Sequence, residues 1–566
     1  MQTAFLALCE LCEKLEATTK RLLMVDLVAN FLKGLQQEED EPAVSMILGR
    51  PFPKWDQRVL EVSWATLSSL IKRITSVDWS DFRNAFSQTG DIGSATRSVF
   101  EASKIKRQAT LFEKPLSILE VRHTFEAIAE TSGGGSRERK GLLVETLLGK
   151  ASPREAKYLV KVMIGEMRTG FHEGLMEMAV AKAFDLPLAT VQTASMLTGD
   201  IGEIAAIAKL KGKEGIISLG FKVFRPIKPM MAQMAEGVSE AVREADGAIA
   251  FEYKLDGARI QIHKSRDDVR VYSRRLTNVT ESLPEVVEQV RNELKASQAI
   301  LEGEVIALGE DRASPLLFQH LMRRFRRVHE INQMVKQIPI ELQLFDVLFL
   351  NGESLVNRSY AERRKKLSEI AGNIKLTKQI VTSNPLEAEE FLREALNSGH
   401  EGLVAKKLDS PYTPGIRGKR WFKIKRTLES LDLVIVAAEW GYGRRHGWLS
   451  DYYLAARDAE TGKFVVVGKT FKGLTDKEII EMTKRLQESA VSEEPHQVVV
   501  VPKIVVEVAY NEIQKSPKYE CGMALRFARI TRIRDDKSPE DADTIQRVRE
   551  IYEKQYEKKA RLNLSI

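Results

Sequence analysis

The stretch Phe251-Glu252-Tyr253-Lys254-Leu255-Asp256-Gly257-Ala258-Arg259 decides how this chain is read. An apolar run from Ala248 leads into it, and the alternating Ile260-Gln261-Ile262-His263 leads out. This pattern predicts two strands with a turn between them and Lys254 near the turn. Gly257 is expected to give the turn its backbone freedom and to let a ligand approach the main chain. A lysine flanked at two residues' distance by Glu252 and Asp256 suits covalent catalysis. Taken alone, the same residues would equally make a charged surface hairpin, so the reading depends on what accompanies them elsewhere.

At 566 residues the chain has room for several domains, and its 43% hydrophobic content can fill their cores. The net charge of +7 points towards an acidic partner, with nucleic acid the first class to consider. The three cysteines are Cys9, Cys12 and Cys521. Cys9 and Cys12 have no second pair to complete a zinc site, and with Phe5, Leu8 and Leu15 they fall on one apolar helix face. Buried thiols in a reducing compartment are expected. No run reaches membrane-spanning length and no targeting segment opens the chain, so a cytoplasmic protein, nucleoid-associated and monomeric, is the expectation.

Upstream of the central stretch, residues 1–222 carry apolar residues at spacings of three and four, as in Tyr158, Leu159, Val162 and Met163. A helical domain is predicted. Two glycine-containing turns interrupt it. Thr131 to Lys140 holds Gly133 and Gly134 ahead of Arg137 and Lys140, and Met167 to Gly174 holds Arg168 and Gly170. Exposed backbone N–H groups beside basic side chains can dock phosphates, which makes these six residues candidates for contact with a nucleic-acid backbone. The two prolines of Phe224-Arg225-Pro226-Ile227-Lys228-Pro229-Met230 end the helical pattern and place a domain boundary near 222/223.

Residues 223–426 alternate strand-like runs with helical ones, an α/β pattern. After Lys425, five short apolar strands (Leu431 to Ala437, Tyr452 to Ala456, Phe464 to Val467, Gln497 to Val501, Ile504 to Val508) predict a small OB-fold barrel over 427–566, with a charged helical tail. The fold class is therefore multidomain: α, then α/β, then β.

Charged residues in the middle domain suit work on a phosphoanhydride. Glu302 and Glu304 alternate with Gly303, so they share one strand face. Glu401 opens another strand. Lys423 and Lys425 alternate with Phe422 and Ile424, and two parallel lysines can hold several phosphates. A lysine with an ordinary pKa of about 10.4 is neutral in only about one molecule in a thousand near pH 7.4. Asp256, Glu304 and Glu401 would favour its charged form further, so cations must offset them. Lys423, Lys425 and a hard divalent ion such as Mg²⁺ (or Mn²⁺) would do so, and the set reads as a metal–nucleotide site.

With these residues assembled, the chain resembles the ATP-dependent DNA ligases, within the covalent nucleotidyltransferases. Lys254-Leu255-Asp256-Gly257 with Arg259 resembles their nucleophile motif. Ser273-Arg274-Arg275, Leu301-Glu302-Gly303-Glu304, Leu344-Phe345-Asp346-Val347, Glu401 to Lys406 and Trp421 to Lys425 resemble the later segments in order, and Arg534-Asp535-Asp536-Lys537 the closing R-x-D-K motif. The resemblance extends over the helical first third, which is similar to the DNA-binding domain of archaeal and eukaryotic replicative ligases. It implies that Lys254 takes AMP from ATP, that Glu252 reads the adenine amino group and that Phe345 stacks on the ring. It also implies that Arg259 and Glu304 hold the ribose, that Arg274, Arg417, Lys423 and Lys425 hold phosphates, and that Glu304 and Glu401 face the metal. Arg534, Asp536 and Lys537 would orient pyrophosphate, and nicked duplex DNA would receive the AMP, in replication, repair and recombination. Gln108-Ala109-Thr110-Leu111-Phe112 resembles a shortened sliding-clamp-binding box. An RNA ligase or mRNA-capping guanylyltransferase shares the lysine, but the helical first domain, Glu252 and the R-x-D-K motif favour a DNA ligase. An inactive DNA-binding scaffold is opposed by the intact Lys254, Glu304, Glu401 and Lys423.

Overall fold

The computed structural model describes residues 2–103, 115–309, 315–316, 318–325, 334–335, 337–415, 417–425, 430–494 and 496–561. They form two compact units: residues 1–395 with 402–424, and residues 396–401 with 425–566. Gln108–Phe112 lie outside the described residues.

The first unit begins with helices from Phe5–Glu16 to Ile201–Ile217. Their ends follow from local chemistry. Pro153–Ile164, for example, starts at a Ser152/Glu155 capping box with proline in its first turn and stops at Gly165 in the left-handed region (φ 76°). Its Ala156, Leu159 and Val162 are buried in the helical core, as are Cys9 and Cys12 of Phe5–Glu16. Burial pushes both thiols well above the ordinary cysteine range, which leaves them packing groups rather than nucleophiles. Among the described residues no helix is long and apolar enough to cross a membrane.

The helical pattern stops at Ile217, but the packing does not. Met196, Leu197, Phe221 and Val223 pack against a cluster holding Ile227, Met230, Phe345, Phe349 and Trp421. The segment expected to separate two domains therefore runs across a shared core. Polar contacts fasten it as well. The Phe224 N–H donates to His263 Nδ1 (2.9 Å), Arg225 and Lys222 pair with Glu203, and Lys228 pairs with Glu173.

Beyond this segment the chain builds two sheets. Strands β1 (Met231–Met234), β2 (Ile249–Lys254), β3 (Ala258–Ser265), β4 (Asp268–Ser273), β5 (Gln298–Ala307), β6 (Ile340–Leu350), β7 (Glu353–Ser354), β8 (Lys375–Leu376), β9 (Gln379–Thr382), β10 (Gly402–Lys407) and β11 (Arg417–Lys425) follow in order. One sheet runs β1-β11-β10-β2-β9; the other runs β4-β3-β5-β6-β7, with β8 beside β6. The first buries Phe251, Leu403, Ala405 and Phe422 beneath the helices Val238–Ala245 and Pro385–Asn397. The second buries Ile260, Ile262, Leu301 and Leu344 beneath Pro284–Glu293 and Tyr360–Ile370. Because side chains alternate along a strand, the residues between these apolar ones are left on the opposite faces, and there the two sheets meet.

The second unit contains the five strands expected from the sequence: β12 (Leu431–Trp440), β13 (Leu449–Arg457), β14 (Phe464–Thr470), β16 (Gln497–Val500) and β17 (Val505–Ala509). They join β15 (Ala490–Glu493) and β20 (Arg529–Ile533) in a seven-stranded sheet, beside a ribbon of β18 (Glu512–Lys515) and β19 (Met523–Arg526). The helix Asp476–Glu488 opens on a Thr475/Glu478 capping box and places Met482 and Leu486 in the sheet's core.

Candidate active site

Lys254 is the last residue of β2, half-buried, with Gly402 of β10 as its register partner. Glu252, two residues back, shares its face. The role of Gly257 differs from the expected one, since its φ lies outside the left-handed region. A Cβ there would stand 2.3 Å from the Val305 carbonyl oxygen and 2.9 Å from Glu304 Cγ. The glycine is needed because β5 passes against the turn, which locks the lysine-bearing loop to the strand carrying Glu304.

Glu252 is buried, and each of its oxygens is engaged. It accepts from Lys406 Nζ (2.6 Å), the Tyr360 hydroxyl and Gln379 Nε2 (3.2 Å), with Arg364 3.4 Å away. Burial lowers the Lys406 pKa, and the pull of Glu252 in the other direction only partly restores it. Burial followed by the Glu252 charge raises Tyr360 well above the usual phenol range. The Lys406 ammonium also lies 4.6 Å from the Phe345 ring centroid and 4.5 Å from that of Trp421, which joins the two sheets.

Arg259 projects from β3 towards the same place. It donates to the Met230 carbonyl (2.7 Å), the Tyr412 hydroxyl (3.2 Å) and Glu302, and its guanidinium lies 5.3 Å from the Phe345 centroid. Burial opposes its charge, yet Glu302 and Tyr412 more than offset this and raise its pKa. Phe345 is nearly buried between these two cations. Of the expected residues, the structure thus gathers Lys254, Glu252, Arg259 and Phe345, with Glu304 opposite Arg259 in the β3–β5 register. Lys423 follows Trp421 at a strand spacing of two and so shares its face.

Others stand apart. Arg274 is exposed, with Met231 Sδ 3.6 Å from its Nη2, and Arg417 is exposed at the start of β11. Lys425 pairs with Glu401. In the second unit, Asp432 takes both closing-motif cations: Arg534 Nη1 lies 3.2 Å from each of its oxygens and Lys537 Nζ is 2.6 Å from one. Arg534 also forks onto Asp536 and holds that carboxyl well below the usual range.

One of the DNA-contact residues needs correction. Lys140 is buried, its ammonium on the Leu60 carbonyl (3.1 Å) and the Glu61 carboxylate (2.8 Å), which turns it away from solvent. Arg168 donates to the Gly90 carbonyl (2.6 Å) and pairs with Glu166 (2.7 Å) near solvent. Gly133, Gly134 and Arg137 are exposed as expected, and Gly170 has the left-handed φ of 73° its turn requires. Arg139, a third basic residue of the Thr131 to Lys140 turn, donates to the Gly134 and Ser132 carbonyls (both 2.8 Å) and stiffens the loop. Lys406, Trp421, Tyr360 and Tyr412 are site residues that the sequence analysis does not single out. Lys406 reaches Glu252 because it follows Val404, the register partner of Glu252, by two positions, and that register is set by the pairing of β10 with β2.

A lysine at the mouth of a buried set of carboxylates, cations and aromatic rings, held between two mostly antiparallel sheets, defines a nucleotidyltransferase domain; helices precede it and a sheet domain follows. Comparison with known proteins makes the class specific. The family model for the ATP dependent DNA ligase domain matches residues 229–425, that for the DNA ligase N terminus residues 4–181, and that for the ATP dependent DNA ligase C terminal region residues 445–537. The chain is 48% identical to a DNA ligase of Thermococcus fumicolans over 96% of its own length and 97% of that protein's. It is 47% identical to DNA ligase 1 of Korarchaeum cryptofilum, over 97% and 98%. The solved structure Pmar-Lig_PreS3 shares the fold, with a TM-score of 0.57 at 16% identity over 93% of this chain and 99% of that one. The chain belongs to the ATP-dependent DNA ligase family.

Proposed function

We propose that Lys254 is the nucleophile of a nick-sealing reaction. Its Nζ, once deprotonated, attacks the α-phosphorus of ATP; an N–P bond forms, the bond to the bridging oxygen breaks and pyrophosphate leaves. AMP then passes to the 5′-phosphate of a nicked duplex, and the 3′-hydroxyl displaces it to form the phosphodiester. The observation that carries this reading is the placement of Lys254 beside Glu252 in a site already rich in buried cations. Lys406 pairs with Glu252 and Arg259 with Glu302, so the carboxylates of the site are already matched. In this reading Glu252 reads the adenine amino group, Phe345 meets the ring, Arg259 and Glu304 hold the ribose, and Arg274, Arg417, Lys423 and Lys425 hold phosphates. Arg534, Asp536 and Lys537 orient the pyrophosphate once Asp432 releases the cations.

Glu304 and Glu401 supply oxygen donors, and among the described residues no cluster of three or more acidic, histidine or cysteine ligands offers a closed metal cage. Two carboxylates suit Mg²⁺, which takes its remaining ligands from water and substrate phosphates. Bound there, the ion would neutralise charge on the phosphates. Gly133, Gly134 and Arg137 offer the duplex a phosphate-facing loop, and Gln108–Phe112 a sliding-clamp contact.

Incubation with α-labelled ATP tests the reading. Acid-stable label is expected on the protein, chased to nicked DNA, and Lys254→Ala should abolish it. Label that arises only from GTP, or that never reaches DNA, would overturn it.

A further inference from the structure

Arg274 and Arg275 sit on the turn between β4 and Asn278, and this turn contains an unusual residue. Leu276 adopts the left-handed region (φ 66°), which costs a branched, non-glycine side chain on the order of 1–2 kcal/mol. Such a conformation persists only where its surroundings over-determine it. Within the turn, the Leu276 N–H donates to the Ser273 carbonyl (2.8 Å) and the Ser273 N–H to the Thr277 carbonyl (2.8 Å). The backbone that leaves the strained residue is held from elsewhere. Gln57 Nε2 donates to the Leu276 carbonyl (3.0 Å), and the Asn278 N–H donates to Gln57 Oε1 (2.8 Å). One side-chain amide, more than two hundred residues away in sequence, thus satisfies the backbone on both sides of Thr277, directly after Leu276, as a neighbouring strand would.

The donor of this contact is itself anchored. Gln57 Nε2 also reaches the Trp55 carbonyl (3.0 Å), and Trp55 Nε1 donates to Asp200 (2.8 Å) while its ring lies 4.2 Å beneath the Arg225 guanidinium. Arg58 is forked onto Asp56 and lies 4.6 Å from the Phe52 centroid. Gln57 itself is exposed and contributes nothing to the core. Its side chain makes two bonds to a strained turn and only one other, which is an arrangement for holding that turn.

We propose that Gln57 is a positioning residue through which the helical segment sets the place of the Arg274-bearing turn. The proposal rests on the reading of Arg274 as a phosphate contact. It assigns the helical segment a part in the chemistry beyond gripping DNA, because any shift of residues 52–58 is passed to Arg274 through one amide.

The test is a double-mutant cycle on the full-length enzyme, with single-turnover sealing of a 5′-phosphorylated nick in ATP and with melting temperature followed alongside. Gln57→Ala is expected to slow sealing about tenfold with melting unchanged, since two hydrogen bonds to the turn are lost and no core is touched. In an Arg274→Ala background, the same change should cost nothing further. Leu276→Gly, which adopts φ 66° without strain, should restore part of the rate lost in Gln57→Ala. An equal loss from Gln57→Ala whether or not Arg274 is present would overturn the proposal, as would no loss at all. If Arg274→Ala alone leaves sealing unchanged, the reading of Arg274 fails and the proposal fails with it. That outcome is distinct from a functional Arg274 that shows no coupling to Gln57.

Discussion

The charged groups around Glu252 and those around Asp432 use the same chemistry in opposite settings. In the first set, Glu252, Lys406 and Glu302 are buried in the seam between two sheets with Arg259 largely covered beside them, and each is matched to a fixed partner. In the second, one carboxylate gathers Arg534 and Lys537, with Asp536 more than half exposed to water. Buried charges must be paired to exist at all, so the first set is permanent framework, built before substrate arrives. A pair near solvent stabilises little, so Arg534 can exchange Asp536 for another anion at small cost. The contrast separates groups that define a site from groups that can visit one.

The contrast breaks most visibly at Lys406. Lys406→Met leaves the buried Glu252 with the more distant Arg364 as its cation and should lower stability by up to about 3–5 kcal/mol, read from denaturant unfolding. Adding Glu252→Gln should recover part of that loss. A variant as stable as the parent would mean that the seam is wet and that the pairing is not framework.

Acid tests the boundary between the helices and the sheets. His263 is buried and neutral, pushed down to about 3 from an ordinary 6.5, first by burial and then by Arg270. The unfolded chain takes up a proton that the folded one refuses, so stability should fall as pH drops from about 6.5 towards about 3. Glu173 behaves as a carboxylate. Burial opposes its charge, but Lys228, Lys54 and Arg50 hold it at about 2 against an ordinary 4.5, so its contribution is full above 4.5 and lost towards 2. Melting temperature against pH should therefore decline in two overlapping steps. His263→Gln should flatten the step that starts near 6.5 and leave the other in place; a parent flat between pH 6.5 and 4.5 would contradict this.

The smallest effect is expected at Asp432. Asp432→Asn should leave the melting temperature essentially unchanged while releasing Arg534 and Lys537 for added phosphate, read as tighter pyrophosphate binding. A destabilisation as large as that of Lys406→Met would erase the difference between the two regions.

Much of the site was legible because strand periodicity and charge type are local properties. Lys254 and Glu252 share a face by a spacing of two, as do Lys423 and Trp421, and no tertiary contact is needed to see it. Lys140 shows where that stops. A basic residue near glycines looks the same whether it meets solvent or a carbonyl, and Leu60 and Glu61 are remote from it in sequence. The helical pattern ends at Ile217, ahead of Pro226 and Pro229, but whether packing also ends there depends on Met196, Phe221 and Phe349, which are scattered along the chain.

By itself the sequence determined the element order, the lysine at its strand end and the family, since each follows from spacing or from ordered motifs. Tertiary structure alone decided which charges are buried and matched, that Gly257 serves to let β5 approach, and that Gln57 holds the turn carrying Arg274. The physical reason is that burial and pairing depend on which distant segments meet, and a side chain's charge state and reach are set by those neighbours rather than by its own residue type.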